Sequence, residues 1–224
     1  MNNSGLFSDN LSATFSQLSA GLLTTVEIFV LTLLFSLPLG LLVAFGRMSE
    51  NTLLRWITKI YISIMRGTPL MLQLMVVYFG PYYIFGMSIS KEYRFYAVVI
   101  GFVLNYAAYF AEIYRGGIES MAEGQYEAAQ VLGFSRLQTF FTIILPQVFK
   151  RILPSITNEV ITLVKDTSLA MVISVGEMFT AAKALASAQV SVIPFAVAGL
   201  FYYIMNYGVA WVMERFEKRF DYYR

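Results

Sequence analysis

A chain of 224 residues that is 58% hydrophobic and only 13% charged is too apolar for an ordinary soluble domain, because such domains carry about a quarter charged residues. Its mean hydropathy of +0.63 indicates that lipid solvates part of its surface. The net charge of +2 is too small to indicate nucleic-acid binding. The chain has no cysteine, which excludes a disulfide framework or thiolate site. It also has no histidine, the commonest general base and metal ligand, which argues against a membrane-embedded enzyme.

Five segments contain enough apolar residues to cross a bilayer core as helices, which takes about 20 residues. These predicted spans cover about residues 22–45, 69–85, 95–114, 152–175 and 192–212. Residues 1–18 contain no Lys or Arg, so the first apolar stretch is expected to be a span and not a signal peptide. We therefore predict an all-α polytopic membrane protein with five transmembrane helices.

The second predicted span follows a polar-flanked segment, residues 53–65, that either lies near the inner surface or lengthens the helix. Thr68 and Pro69 are typical of an N-cap and a first helical position. We therefore expect a break or kink between residues 53–65 and the second span.

The distribution of Lys and Arg predicts an outside N-terminus and an inside C-terminus. With that orientation the inner segments hold Arg47, Arg55, Arg115, Arg136, Lys150, Arg151, Arg215, Lys218, Arg219 and Arg224. The outer segments hold only Lys91, Arg94 and Lys183. Because cytoplasmic loops of membrane proteins carry the excess of basic residues, the N-out, C-in arrangement is favoured.

The longest interruption between spans, residues 115–151, is predicted to form two short cytoplasmic helices. Gly133 suits the left-handed position after a first helix that contains Glu127 in its first turn, where the helix dipole favours a negative charge. Ser135 and Gln138 predict a capping box for a second helix over residues 136–145, which Pro146 ends or kinks.

The spacing Glu127-Ala128-Ala129, Gly133, Ile143 and Leu145-Pro146 resembles the EAA loop of binding-protein-dependent ABC importer permeases. In that family the short helix is the coupling helix, which seats in a cleft of the ATP-binding subunit. The resemblance assigns this contact to Tyr126, Glu127, Ala128, Ala129, Leu132 and Gly133. The alternative is a cytoplasmic helical hairpin with a chance Glu-Ala-Ala sequence.

Three further segments resemble the polar amino acid branch of these permeases, the histidine/glutamine type. They are Arg66-Gly67-Thr68-Pro69-Leu70, Arg115-Gly116-Gly117-Ile118 and Lys165-Asp166-Thr167-Ser168-Leu169. Met121-Ala122-Glu123 departs from the family, which more often has a hydrophobic residue, Pro and Lys there.

The resemblance implies a type I importer in a bacterial inner membrane. Its other parts would be two ATP-binding subunits, an external amino acid-binding protein, and a second copy of the permease or a related permease. No G-x-x-x-x-G-K-[ST] motif occurs in the sequence. We therefore expect no cofactor in this chain, with ATP and Mg²⁺ bound by the partner ATPase.

Polar residues in the spans mark a candidate substrate pathway, because charge inside a bilayer is costly. The fourth span carries Asn158, Glu159, Thr162, Lys165 and Asp166 on one broad helical face. The third span carries Gly101, Asn105, Tyr109 and Glu112, with Asn105 at about the depth of Lys165 and Asp166. Gln73 is a weaker candidate, and Arg66 is expected to anchor the inner face.

Lys165, beside Glu159 and Asp166, supplies both charge signs that an amino acid zwitterion needs. Alternatively, Lys165 and Asp166 neutralise intersubunit partners, or Asn158 and Glu159 only hold helices together. A different class of function is an ion-coupled secondary transporter with Lys165 and Asp166 as the ion relay. Inverted repeats would be expected there, and none is visible in the sequence.

Residues 177–189 follow the fourth span, with apolar side chains at helical spacing. They predict a short amphipathic helix on the outer surface. This helix either caps the path and touches the binding protein or is a plain interfacial connector.

Overall fold

The computed structural model describes the chain over residues 3–219, without the side chains of residues 3–11 and 13. All regular structure in that range is helical. The helices are α1 (Asn3–Arg47), α2 (Thr52–Gly67), α3 (Leu70–Phe85), α4 (Tyr93–Glu119), α5 (Glu123–Val131), α6 (Arg136–Thr139), α7 (Leu145–Asp166), α8 (Met178–Gln189) and α9 (Ile193–Arg219). A π-helical turn, Phe140–Ile144, joins α6 to α7, and a 3₁₀ segment, Thr167–Ile173, extends α7.

Three of the described helices are long and apolar enough to cross a bilayer: α1 over Thr14–Arg47, α4 and α9. Two bent pairs qualify when each is taken as one span, and they raise the number to as many as five. The pairs are α2 with α3, bent by 112°, and Arg136–Ile173 with α8, bent by 59°. The chain is thus an all-helical, multi-pass membrane protein. Arg224, which contributed to the predicted orientation, lies outside the described residues.

The centre of the fold is the packing of α1 against α4. Gly40 of α1 is so close to α4 that a Cβ there would lie 2.8 Å from the Cβ of Phe110. Phe102 and Tyr106 of α4 are buried, with their rings stacked at 6.3 Å between centroids. The absence of a side chain at Gly40 allows this close approach, since small residues at helix interfaces let backbones come close in membranes.

The predicted break before α3 is confirmed, but its cap was assigned to the wrong residue. Pro69 is the N-cap and α3 begins at Leu70, whereas Thr68 closes the C-terminus of α2. The reason is that Pro69 has extended backbone angles, with ψ at 133°, so the helix starts one residue later. Residues 53–65 belong to the separate helix α2 and therefore do not lengthen α3.

α5 ends in the predicted left-handed turn. Gly133 has a φ of +80°, its N–H donates to the Gln130 carbonyl, and the Phe134 N–H donates to the Ala129 carbonyl. These two bonds form a Schellman motif, which satisfies the last carbonyls of a helix.

The predicted place of Glu127 in the first turn of this helix is wrong. α5 begins at Glu123, so Glu123 is the acidic residue of the first turn and Glu127 lies one turn later.

The predicted capping box of the next helix is confirmed, with Ser135 and Gln138 each bonding the backbone N–H of the other. Of the two predicted effects of Pro146, ending or kinking that helix, the first is wrong. The helix passes through the π turn and continues to Asp166, with Pro146 in the first turn of α7. Proline is tolerated there because a π turn already rearranges the hydrogen bonds that its missing N–H would break.

The predicted helix over residues 177–189 is also present. Its buried side chains Met178, Ala182 and Leu185 form a cluster with Leu18 of α1 and with α9. Glu177 is fully buried and caps α8, accepting hydrogen bonds of 2.6 Å from the N–H groups of Phe179 and Thr180. The apolar face of α8 is therefore covered by the same chain, and its predicted role as a cap of the path stays a prediction.

Candidate substrate cavity and coupling segment

A polar cavity of about 320 Å³ lies where α4, α7 and the α2–α3 break meet. It is lined by Thr68, Pro69, Leu70, Asn105, Tyr106, Tyr109, Glu159, Thr162 and Asp166. The polar stripes of the third and fourth predicted spans thus meet at one level, as their spacing indicated. Its volume is at the small end of the range for ligand sites, about 300–1,000 Å³.

The α7 side of the cavity is acidic. Over residues 3–219, the charged side chains that line it are the two carboxylates of Glu159 and Asp166. Asp166 accepts a hydrogen bond of 2.8 Å from the hydroxyl of Tyr106, whose side chain is almost fully buried. Since the buried ring cannot swing away freely, it fixes the direction in which the Asp166 carboxylate points.

The opposite side of the cavity is the N-terminus of α3. The Pro69 carbonyl accepts from the N–H groups of Leu72 and Gln73, so the helix is regular from its first turn. The first N–H groups of a helix lack partners within the helix and carry the positive end of its dipole. Leu70, the first residue of α3, lines the cavity. The cavity therefore presents carboxylates on one side and a helix N-terminus on the other.

Asn105 and Gln73 hold the break in place. The Gln73 amide donates to the carbonyls of Met65 and Thr68, at 2.9 and 3.1 Å. Asn105 donates to the same Met65 carbonyl and to the Gln73 side-chain oxygen, at 3.1 and 2.9 Å. These bonds satisfy carbonyls that the end of α2 would otherwise leave unpaired. Asn105 thus both lines the cavity and braces it, whereas Gln73 braces it from behind.

Asn158 and Lys165 lie elsewhere. Both are exposed and follow a stripe of α7 beside the one that carries Glu159, Thr162 and Asp166. The seven-residue step between them keeps them together on the helix surface. The predicted broad face is therefore divided, and the structure does not bring Lys165 into the cavity with the two carboxylates.

Tyr106 of the cavity lining was not among the residues predicted from the sequence. Tyr106 was missed because a buried aromatic residue in an apolar span has the pattern of a core residue. The Arg66 guanidinium carbon lies 5.3 Å from the ring centroid of Tyr109, and its Nη1 lies 3.7 Å from Glu112. Arg66 is thus next to Tyr109, a residue of the cavity wall, and does not itself line the cavity.

The predicted coupling residues form an exposed end of α5. Ala129 is buried, while Tyr126, Glu127, Ala128, Leu132 and Gly133 are exposed. Val131 and Leu132 expose 87% and 74% of their surface, which leaves two large apolar side chains side by side in water or against a partner. A cluster of exposed apolar side chains on a short helix is typical of an interaction surface.

Comparisons with known proteins agree with this architecture. Residues 36–222 match the family described as the binding-protein-dependent transport system inner membrane component. The arginine transport system permease protein of Bacillus subtilis is 36% identical over 94% of this chain and 96% of its own length. The L-cystine transport system permease protein of the same organism is 36% identical over 92% of this chain and 87% of its own length.

The crystal structure of an amino acid ABC transporter with histidines gives a TM-score of 0.85 at 30% identity. The alignment covers 93% of this chain and 96% of that chain. These matches confirm the predicted ABC importer permease and not the ion-coupled secondary transporter. The chain belongs to the family of inner membrane components of binding-protein-dependent transport systems.

Proposed function

We propose that this permease carries a polar amino acid with a cationic side chain through the cavity between α3, α4 and α7. The observation that carries the proposal is the pair of carboxylates, Glu159 and Asp166, opposite the N-terminus of α3. The α-carboxylate of the substrate would lie against the first N–H groups of α3, as anions do at helix N-termini. Its ammonium and its cationic side chain would lie against Glu159 and Asp166.

The charged side chains that line the cavity differ from those expected from the sequence. Lys165 was expected to supply the positive charge, but it lies on the exposed stripe of α7. Two carboxylates near one another in a membrane are costly unless a cation compensates them. A substrate with two cationic groups compensates both, whereas an acidic amino acid adds a further negative charge. Similarity to the arginine permease supports this substrate class.

A neutral polar amino acid is the second candidate. Similarity to the L-cystine permease favours it. A cationic amino acid has a positive group for each of the two carboxylates. A neutral amino acid has only its ammonium group and leaves one carboxylate without a partner. Isothermal titration of arginine and glutamine into the permease–ATPase complex, without the binding protein, would separate them. Tighter binding of arginine supports the cationic class, and equal or tighter binding of glutamine contradicts it.

Transport would be driven by two ATP-binding subunits that contact the exposed end of α5. Val131 and Leu132 would enter the partner surface, with Tyr126, Glu127 and Ala128 around them. ATP and Mg²⁺ would be bound by those subunits, so this chain would perform no hydrolysis itself. A second copy of the chain or a related permease would complete the path, and an external amino acid-binding protein would deliver the substrate.

The arrangement in a bacterial inner membrane would be N-out and C-in with five spans. The two bent helix pairs, α2–α3 and Arg136–Ile173 with α8, would supply two of the spans. The basic residues on the inner side, Arg115, Arg136, Lys150 and Arg151 among them, support this orientation. Labelling of single cysteines placed at residues 130 and 187 in intact cells would check it. Labelling of residue 130 from outside would contradict the orientation.

A further inference from the structure

A pair of amide side chains joins α5 to α7. Ala129 is the buried residue among those of α5, all of which are described. Gln125 donates a hydrogen bond of 2.9 Å to the Gln147 side-chain oxygen, and Gln147 donates one of 2.6 Å to the Gln125 oxygen. Each amide group is therefore donor and acceptor at once. Both side chains are half-buried, so water competes weakly for these bonds.

Gln147 stands at a special place in its helix. It follows the π turn Phe140–Ile144 and Pro146, and its amide nitrogen also donates to the Ile143 carbonyl at 2.8 Å. Since Pro146 has no N–H, the regular helical bonding of this turn is interrupted, and the bond to the Ile143 carbonyl lies next to that interruption. The amide nitrogen of Gln147 thus uses its two hydrogens for two tasks. One binds α5 and the other supports the irregular turn.

The same helix reaches the cavity. Glu159, Thr162 and Asp166 follow Gln147 on α7, which stays helical through Pro154. At a rise of about 1.5 Å per residue, Glu159 lies about 18 Å and Asp166 about 28 Å along the axis. By contrast, the covalent route from α5 to α7 passes through the Gly133 turn, α6 and the π turn. π-helical turns inside helices are frequent at functional sites.

We infer that Gln125 and Gln147 are positioning residues for transport, which lock α5 to α7. A displacement of α5 then moves α7 directly, and with it the carboxylates of the cavity. Without the pair, α5 and α6 pivot on the π turn and α7 stays in place. The inference rests on the coupling role proposed for α5, and it assigns the transmission to these two side chains.

The test uses the assembled transporter in proteoliposomes, with the loaded binding protein outside. Gln125→Leu and Gln147→Leu each remove the reciprocal bonds while keeping a side chain of similar size. We expect each to lower the substrate transported per ATP hydrolysed by about tenfold, within the 5- to 150-fold range of coupling between sites. Basal ATP hydrolysis and co-elution with the ATPase stay unchanged. A merely structural role would lower assembly and leave the ratio intact.

Because the chain contains no cysteine, a reversible link can replace the amide pair. The double variant Gln125→Cys with Gln147→Cys is treated with a short reducible bifunctional thiol cross-linker. The cross-linked protein is expected to transport as much substrate per ATP hydrolysed as the wild type. After reduction of the cross-link, the same protein is expected to transport less substrate per ATP. The inference is overturned if both leucine variants stay coupled, or if the cross-link blocks transport, because α5 and α7 must then separate.

A parallel variant distinguishes this inference from the proposed coupling role. Gly133→Val disturbs the end of α5 and leaves Gln125 and Gln147 unchanged. Loss of coupling in Gly133→Val with normal coupling in Gln147→Leu overturns the amide link alone. Normal coupling in both variants overturns the coupling role of α5 as well.

Discussion

Polar groups around the cavity are at least half-buried in most cases and held by side chains of the same chain, whereas apolar groups at the end of α5 are exposed. Asp166 is held by Tyr106, and the α2–α3 break is held by Asn105 and Gln73. Val131 and Leu132 have no comparable cover from residues 3–219. A preorganised polar site is suited to a small charged ligand, and an exposed apolar helix end is suited to a protein surface.

The cavity carboxylates are where a change should have the largest effect. Asp166→Asn keeps the shape and removes the charge that the hydroxyl of Tyr106 orients. Hydrogen bonds to charged groups contribute about 1.5–3 kcal/mol, so ATP-driven uptake of a cationic amino acid should fall by about 10- to 100-fold. Asn158→Ala, on the exposed stripe of the same helix, is the control and should transport normally. Wild-type uptake by Asp166→Asn, in a normally assembled complex, would remove Asp166 from the pathway.

The turn at the end of α5 should show the next largest effect. Gly133 has a φ of +80°, and a Cβ there would meet nothing within 4 Å, so the constraint is on the backbone and not on space. A β-branched residue in this region costs about 1–2 kcal/mol. Gly133→Val should therefore reduce ATP-driven uptake by about 5- to 30-fold while the spans stay inserted.

Gly124→Val is the matched control for that variant. Gly124 lies inside α5, and a Cβ there also meets nothing within 4 Å, but its φ is not positive. The control should keep its transport rate, since valine is no worse than glycine in a helix. If Gly133→Val transports at the rate of the control, the role of this turn in coupling must be withdrawn.

A smaller effect, on stability, is expected at the α2–α3 break. Gln73→Leu removes the donors to the carbonyls of Met65 and Thr68 and the acceptor for Asn105. Each buried polar group left without a partner costs about 1–3 kcal/mol. The melting temperature of the purified permease should fall by several degrees. Gln130→Leu, an exposed glutamine changed in the same way, should leave it unchanged. Equal melting temperatures would show that the bonds of Gln73 are replaced by water.

Features that depend on a few neighbouring residues could be predicted from the sequence. Features that depend on contacts between distant residues could not. The Gly133 turn and the Ser135–Gln138 capping box were predictable because each depends on a few neighbouring residues. The break at Pro69 was predictable for the same reason. The passage of the helix through Pro146 was not predictable, because the π turn absorbs the missing N–H. The start of α5 at Glu123 was not predictable either, because its N-cap, Ala122, makes no side-chain cap hydrogen bond.

The cavity was predictable only in part. Periodicity placed Asn105 and Asp166 on helical stripes at one level, and they do line one cavity. Periodicity alone does not determine how wide the facing stripe is, because that depends on how α4 packs against α7. The sequence favoured Lys165 over Glu159 as a pathway residue, yet the helix rotation places Glu159 inside and Lys165 outside.

Lys165 gives the smallest predicted effect and the sharpest test of the difference between sequence and structure. If Lys165 held the substrate carboxylate, Lys165→Gln would lower uptake about as much as Asp166→Asn does. Its exposed position predicts instead a change of at most about fivefold, because an exposed charge contributes about 0–1 kcal/mol. The two effects are compared by measuring the uptake rate of one cationic amino acid in Lys165→Gln and in Asp166→Asn, each assembled with the same ATPase. A large loss in Lys165→Gln would mean that a rotation of α7 brings Lys165 into the path during transport. The acidic cavity would then be one of two charge arrangements that the substrate meets.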